Sequence, residues 1–224
     1  TASPDHVIHL KPRPLILRRE AWAAGRAGIK AAVEAYEADY RAMFALLAPL
    51  ADEPKTMLTP DPKLAWIEGV GIVGIGADAR VAAVAADLGE QNLAVRSLGE
   101  DRGGFRPIGE KDLFDFEYWS LEQAKLGHEK PTPSLQGRVV MVTGGAGTIG
   151  LATAQAFARL GANCRLADLD AAQIDTALEA LGPGHAGFAA DVTAKGAADA
   201  AMDAAVQAFG GLDILVSNAG AATQ

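Results

Sequence analysis

Val139-Val-Met-Val-Thr-Gly-Gly-Ala-Gly-Thr-Ile-Gly150 is the stretch that decides how this chain is read. Val139–Thr143 is a short, mostly β-branched apolar run and predicts a strand. A glycine-rich turn follows at once, and Thr148–Leu160 has helical character, closed by Gly161. Strand, glycine turn and helix form the context in which Gly145-x-Gly147-x-x-Gly150 acquires chemical meaning. Glycines let the backbone turn tightly and come close to a diphosphate. The N–H groups at the helix start, with the positive end of the helix dipole, then favour the phosphate charge.

Working outward toward the C-terminus, the same alternation repeats. Strands are predicted over Asn163–Ala167, His185–Ala190 and Leu212–Ser217, and helices over about Asp170–Leu181 and Ala194–Phe209. Such alternation implies α/β architecture, a parallel sheet with helices on both faces. It predicts the first four strands of a Rossmann-type doubly wound sheet in the order 3-2-1-4, with Ile214–Val216 on an open edge.

Carboxylates end two of these strands. Asp168 closes the second strand about twenty residues beyond the turn, where an acidic side chain accepts both ribose hydroxyls of an adenosine and repels a 2′-phosphate. This favours NAD over NADP. The other role open to Asp168 is a helix cap, for which Asp170 is the better placed. Asp191 closes the third strand and has two readings, acceptor for an adenine amino group or loop cap. The candidate cofactor-binding set is Gly144, Gly147, Thr148, Ile149 and Gly150 in the turn, Asp168 with Leu169, Asp191 with Val192, and Asn218, Ala219 and Gly220 after the fourth strand.

Toward the N-terminus the pattern is less regular. Asp5–Leu10 predicts a short strand, broken by Lys11-Pro-Arg-Pro14, and Leu15–Leu17 an edge strand. Arg19–Leu47 predicts one long helix, its core stripe formed by Ile29, Val33, Tyr36, Tyr40, Phe44 and Leu47. Leu64–Glu68 and Gly71–Ile75 predict two strands joined through Gly69, with a helix over Ala77–Leu98 and a loop over Gly99–Gly109. The run Gly69-Val-Gly-Ile-Val-Gly-Ile-Gly76 has glycine spacing like a nucleotide loop, but no acidic strand end follows it, so it reads as a glycine-lined strand and turn. The acidic, aromatic stretch Asp112–Trp119 reads as glue between domains, with Ser120 capping a helix over Leu121–Leu126. Pro131, Pro133 and the glycines of Gly127–Gly137 mark the domain boundary.

Composition limits the options. The 224 residues are 50% hydrophobic and 21% charged, ordinary for a globular protein. A net charge of −8 argues against nucleic acid or an anionic membrane as partner, and no apolar run approaches a membrane span. No signal peptide is visible, and one cysteine, Cys164, cannot form an internal disulfide, so a cytoplasmic setting is expected. The chain begins at Thr1 and stops at Gln224 where an α/β chain should continue, which reads as an internal piece of a longer protein.

Together, Thr143-Gly144 through Gly150, Asp168, Asp191-Val192 and Asn218-Ala219-Gly220 resemble the first half of a short-chain dehydrogenase/reductase. The resemblance implies an NAD-dependent oxidoreductase, and an Asn-Ala-Gly turn that braces the sheet and touches the cofactor's ribose. Thr148 departs from the family's Thr-Gly-x-x-x-Gly-x-Gly, standing where the middle glycine belongs and narrowing the approach of the diphosphate. The family's catalytic Ser and Tyr-x-x-x-Lys would follow the fourth strand. Tyr36, Tyr40 and Tyr118 have no lysine four positions on, so no catalytic residue is assigned and this stretch is expected to bind cofactor without turnover.

The front half, through Asp5-His-Val-Ile, Gly69–Gly76 and above all Phe114-Asp-Phe-Glu-Tyr-Trp-Ser-Leu-Glu-Gln-Ala-Lys-Leu126, resembles the end of the aldolase part of bifunctional class II aldolase/short-chain dehydrogenases. Members of that group act as rhamnulose-1-phosphate aldolase and lactaldehyde dehydrogenase, so rhamnose catabolism, a small-molecule substrate and a homo-oligomer are implied. The implied division is 1–127 for the C-terminal part of the aldolase-like domain, 128–137 for a linker and 138–224 for the N-terminal half of the NAD-binding domain. The aldolase zinc would be held by histidines preceding Thr1. His6 and His9, three apart on a strand, would face opposite ways and chelate poorly. His128 and His185 read as structural or solvated, and Cys164 as a buried small hydrophobe. Two other readings stand beside the oxidoreductase: a non-catalytic dinucleotide-binding or assembly module, and an unrelated Rossmann enzyme such as a methyltransferase, against which the Asn218-Ala219-Gly220 turn argues.

Overall fold

In the computed structural model, which describes residues 3–125 and 132–220, the chain divides into two units, Thr1–Gly76 with Val81–Lys130 and Ala77–Arg80 with Pro131–Gln224. Part of the predicted linker, residues 128–131 with His128, lies outside the described residues, as do Leu126 and residues 221–224.

The first unit opens on a correction. Residues 5–10 are not a strand but part of α1 (Pro4–Leu10). Ser3 at the N-cap position, Pro4 at the first helical position and Asp5 in the first turn are helix-start signals, and they outweigh the β preference of Val7 and Ile8. The helix buries Val7 and Ile8 against Leu113. β1 (Leu15–Leu17) pairs in parallel with β2 (Leu64–Ile67), which pairs antiparallel with β3 (Gly71–Gly74), so β1 is an edge strand as expected.

The single helix predicted over Arg19–Leu47 is two, α2 (Arg19–Ala23) and α3 (Gly25–Leu47), because Gly25 takes φ +68° and turns the chain. A 3-10 turn (Ala48–Leu50) ends α3. α4 spans Ala79–Asp101, past the predicted end, so the following loop begins later than Gly99. α5 (Glu110–Glu117) and α6 (Ser120–Lys125) complete the unit.

The aromatics of α5 do not await another domain. Phe114 and Tyr118 stack at 4.5 Å and pack on Tyr40 and Leu47 of α3, inside the first unit. Beside them lies a buried polar knot. Lys11 Nζ is 3.3 Å from Glu117 Oε1, both side chains 1% exposed. Tyr40 donates to Glu117 Oε1 at 2.9 Å, and the Tyr40 and Tyr118 hydroxyls share a 2.7 Å bond. Burial raises the Glu117 carboxyl above its ordinary range, with Lys11 opposing, and lowers the Lys11 ammonium.

The second unit alternates as the sequence predicts. β4 (Val139–Thr143), α7 (Thr148–Arg159), β5 (Asn163–Asp168), α8 (Ala171–Leu181), β6 (Ala186–Ala189), α9 (Ala197–Phe209) and β7 (Ile214–Val216) build a four-stranded parallel sheet in the order β6-β5-β4-β7. That is the Rossmann-type order 3-2-1-4. Strands buried on both faces read as continuous apolar runs. Val140, Val142, Cys164 and Leu166 face Ala154 of α7 and Ala177 of α8, while Met141 and Ala167 face Ala201 and Ala205 of α9. Cys164 is fully buried and burial pushes its thiol up to about 11, which fits a small core hydrophobe. β7 forms one edge, with Leu215 60% exposed.

Candidate functional site

The site lies at the carboxyl ends of β4, β5 and β7. From β4 the sheet extends through β5 and β6 on one side and to β7 on the other, so the order reverses between β4 and β7. Crevices outside such reversal points are where open α/β sheets bind ligands.

The glycines there act separately. Gly144 takes φ +61°, which turns the chain out of β4. A Cβ on Gly145 would lie 2.7 Å from Val142 O and 3.0 Å from Leu166 Cβ. A Cβ on Gly150 would lie 2.1 Å from Gly144 O, so the first turn of α7 rests directly on the loop. Gly147 meets nothing closer than Gly144 O at 3.4 Å. Thr148 is exposed at the first position of α7, so the side chain in place of the family's middle glycine is accommodated without packing under the loop.

Backbone donors in this turn divide into used and free. Gly145 N–H donates to Ala167 O, Gly147 N–H to Gly144 O, and Leu151 N–H to Gly147 O. Ala146 N–H donates to Asp168 Oδ2 at 2.9 Å. No acceptor is present for the N–H groups of Thr148, Ile149 and Gly150 among the described residues, and Gly147 brings no capping side chain. α8 begins differently. Asp170 accepts from Ala172 N at 2.9 Å and Gln173 N at 3.3 Å, a side-chain cap.

Asp168 is therefore relieved of capping α8. Its second oxygen accepts from Leu169 N at 2.8 Å, and Leu169 itself is 73% exposed. The carboxylate joins the end of β5 to the glycine turn of β4, at the place where an adenosine ribose would approach. Asp191 sits in a tight loop and accepts from Thr193 N at 2.8 Å and Thr193 Oγ1 at 2.6 Å; these bonds hold its carboxyl below the usual range. Val192 beside it is 40% exposed.

Asn218 ties the end of β7 to the end of β4. Its amide donates to Thr143 O at 3.0 Å and Gly144 O at 3.2 Å. Asn218 N and Ala219 N both donate to Thr143 Oγ1 at 3.0 Å. The turn at residues 218–220 is thus tied to the β4 end. Thr143 is the residue that sequence reasoning left out of the site. Its hydroxyl organises the crossing from β4 to β7, and only the pairing of those strands, far apart in sequence, reveals it.

The histidines need a correction. On helix α1, His6 and His9 share a face, unlike the strand geometry expected of them. His6 Nδ1 lies 3.4 Å from Asn92 Nδ2, and His9 is lowered by burial and then by the charges of Lys63 and His6. Among the described residues no group of three His, Cys, Asp or Glu is placed to hold a metal ion, and no helix is long and apolar enough to cross a membrane.

Comparison with known proteins places these features in context. Residues 1–126 match the family described as aldolase class II, second domain, and residues 138–224 match short chain dehydrogenase. An uncharacterized oxidoreductase of Bacillus subtilis (strain 168), YuxG, is 32% identical over 99% of this chain and 33% of its own length. Galactitol 2-dehydrogenase of Agrobacterium fabrum is 45% identical over 38% of the chain and 33% of its own length. D-threitol dehydrogenase of Mycolicibacterium smegmatis is 43% identical over 39% of the chain and 35% of its own length. The chain thus spans about a third of the length of these relatives.

Proposed function

The chain belongs to the class II aldolase second-domain family, here followed by a short-chain dehydrogenase region, and on that footing we propose that its second unit binds NAD in an oxidoreductase acting on a small aldehyde or a sugar-derived alcohol. The enzyme would be fused behind a sugar-phosphate aldolase. The observation that carries the reading is the uncapped start of α7. Three N–H groups, on Thr148, Ile149 and Gly150, are without an acceptor among the described residues at a sheet reversal point, while the neighbouring α8 is capped by its own aspartate at Ala172 and Gln173. A helix start left open in that place suits the diphosphate of a dinucleotide. Asp168 would take the ribose hydroxyls, and its charge would disfavour a 2′-phosphate. Names of two relatives, for galactitol and D-threitol, support a polyol or its carbonyl partner as substrate class.

A bound nicotinamide cofactor would supply the hydride chemistry. The residues of this chain would grip and orient it: Gly144–Gly150 at the diphosphate, Asp168 at the ribose, Asp191 at the adenine edge, and the Thr143–Asn218 ties holding the crevice open. The acid–base residues of hydride transfer are not assigned within these 224 residues.

Calorimetric titration with NADH and NADPH tests the reading. NADH should bind at least about tenfold more tightly, since charge-assisted hydrogen bonds contribute roughly 1.5–3 kcal/mol. Asp168→Asn keeps an oxygen for Ala146 N–H and removes the charge, so it should bring the two affinities close together. Tighter binding of NADPH, or a ratio untouched by the substitution, would defeat the assignment.

A further inference from the structure

Within the first unit, a cavity of about 450 Å³ is walled chiefly by apolar side chains, among them Leu10, Ile16, Leu64, Pro107 and Leu113. That is a size suited to a small organic ligand. Its polar lining residues are Lys11, Arg13, Trp66, Asn92, Arg96 and Glu110, and most are already engaged: Lys11 is ion-paired with Glu117, and Asn92 donates to Leu88 O. Arg13, on the rim, is ion-paired with Glu110. Arg96 of α4 has no carboxylate partner among the described residues; its guanidinium lies over the rings of Trp66, at 5.5 Å, and Phe105, at 5.3 Å. Trp66 Nε1 is buried and has no hydrogen-bond acceptor among the described residues.

A buried indole N–H without an acceptor is costly, and an unpaired guanidinium held on two aromatic faces keeps its in-plane N–H edge available. We propose that this cavity binds a small organic carboxylate with a flat apolar body. The carboxylate is held by the Arg96 fork, with Trp66 Nε1 as the neighbouring donor, and the body lies among Phe105 and the aliphatic walls. Carboxylate is favoured over phosphate because Lys11 is paired with Glu117 and Arg13 with Glu110, which leaves one guanidinium to match one charge and the planar geometry of a carboxylate, and the Glu110 carboxylate in the lining disfavours a dianion. Arg13 does not compete for the ligand because Glu110 neutralises it. This site is independent of the nucleotide reading.

The test uses the ¹⁵N-labelled chain, whose three tryptophans give three indole N–H resonances. Trp66→Phe identifies the signal of Trp66. Phenylacetate, phenylacetamide, 2-phenylethylamine and inorganic phosphate are titrated separately. Phenylacetate should shift the Trp66 signal saturably, and the other three should bind at least tenfold more weakly. Arg96→Gln, at an exposed position that leaves the fold intact, should weaken phenylacetate at least tenfold. Glu110→Gln, which frees Arg13, should tighten it severalfold. The proposal is overturned if phenylacetate gives no saturable shift of Trp66, if the amide or phosphate binds as well as the acid, or if Arg96→Gln leaves the affinity unchanged.

Discussion

Residues 69–76 and 144–150 look alike as sequence, each with closely spaced glycines and a helix behind, yet their glycines do different physical work. In the first stretch they admit the body of a helix. A Cβ on Gly74 would lie 1.9 Å from Ala82 O, and one on Gly76 2.5 Å from Ala82 N, so α4 presses on the end of an antiparallel strand. In the second they shape a loop and leave a helix start open. Gly144 turns the chain at φ +61°, Gly150 lets α7 sit on Gly144 O, and three N–H groups have no acceptor among the described residues. Glycine spacing thus reports close backbone approach in both places. Phosphate binding needs more: a parallel strand, a free helix start, and a carboxylate at the end of the next strand.

The largest expected effect comes from filling these two contacts. Gly150→Val places a side chain against Gly144 O, and overpacking of this kind costs about 3 kcal/mol. Amide hydrogen exchange in β4 and β5 should accelerate and NADH binding should be lost. Gly74→Val should loosen β2 and β3 to a similar degree and leave NADH affinity as it was. Loss of NADH binding in Gly74→Val would end the distinction between the two stretches.

That contrast also explains what was legible in the sequence. In the second unit, local pattern and tertiary structure agree, because each strand is a short apolar run and each helix its own amphipathic segment. β4 and α7 therefore fall within a residue of their predicted limits, and β7 is trimmed only at its ends. The first unit is held by partners remote in sequence. Lys11 and Glu117, with Tyr40 and Tyr118, form a buried polar knot that no periodicity announces. The aromatics of α5 were legible as a cluster, but their partner, α3, was not. Residues 5–10 misled because β-branched side chains outvoted the start signals of Ser3, Pro4 and Asp5. At the site, Asp168 and Asn218 could be placed by spacing, whereas the role of Thr143 depends on β7 lying beside β4.

A smaller effect separates the two aspartates that end β5 and begin α8. Asp170→Ala removes the cap bonds to Ala172 N and Gln173 N and should cost about 1 kcal/mol. NADH affinity should not change if, as proposed, Asp168 takes the ribose while Asp170 only caps α8. A fall in NADH affinity comparable to that of Asp168→Asn, measured by the same calorimetric titration, would mean that the roles are shared.

The smallest effect is a pH dependence confined to the second unit. His185 Nδ1 accepts the backbone N–H of Cys164 at 3.0 Å, and burial lowers the imidazole below its ordinary 6.5. Protonating Nδ1 would break that bond. Below pH 6.5 the unfolded chain takes up a proton that the folded His185 resists, so the unfolded state binds more protons and stability falls with falling pH. The contribution is present in full above that range and is lost as pH drops through 6.5 toward the lowered folded value. Half-burial keeps it modest. His185→Gln supplies an amide oxygen for Cys164 N–H without a titrating group. Amide exchange protection in β5 should therefore decline less between pH 7.5 and 5.5 in the variant than in the wild type, once the intrinsic pH dependence of exchange is removed. Equal declines would show that the Cys164–His185 bond does not couple this sheet to protonation, and would leave the first unit, where His9 is also lowered by burial, as the place to seek acid sensitivity.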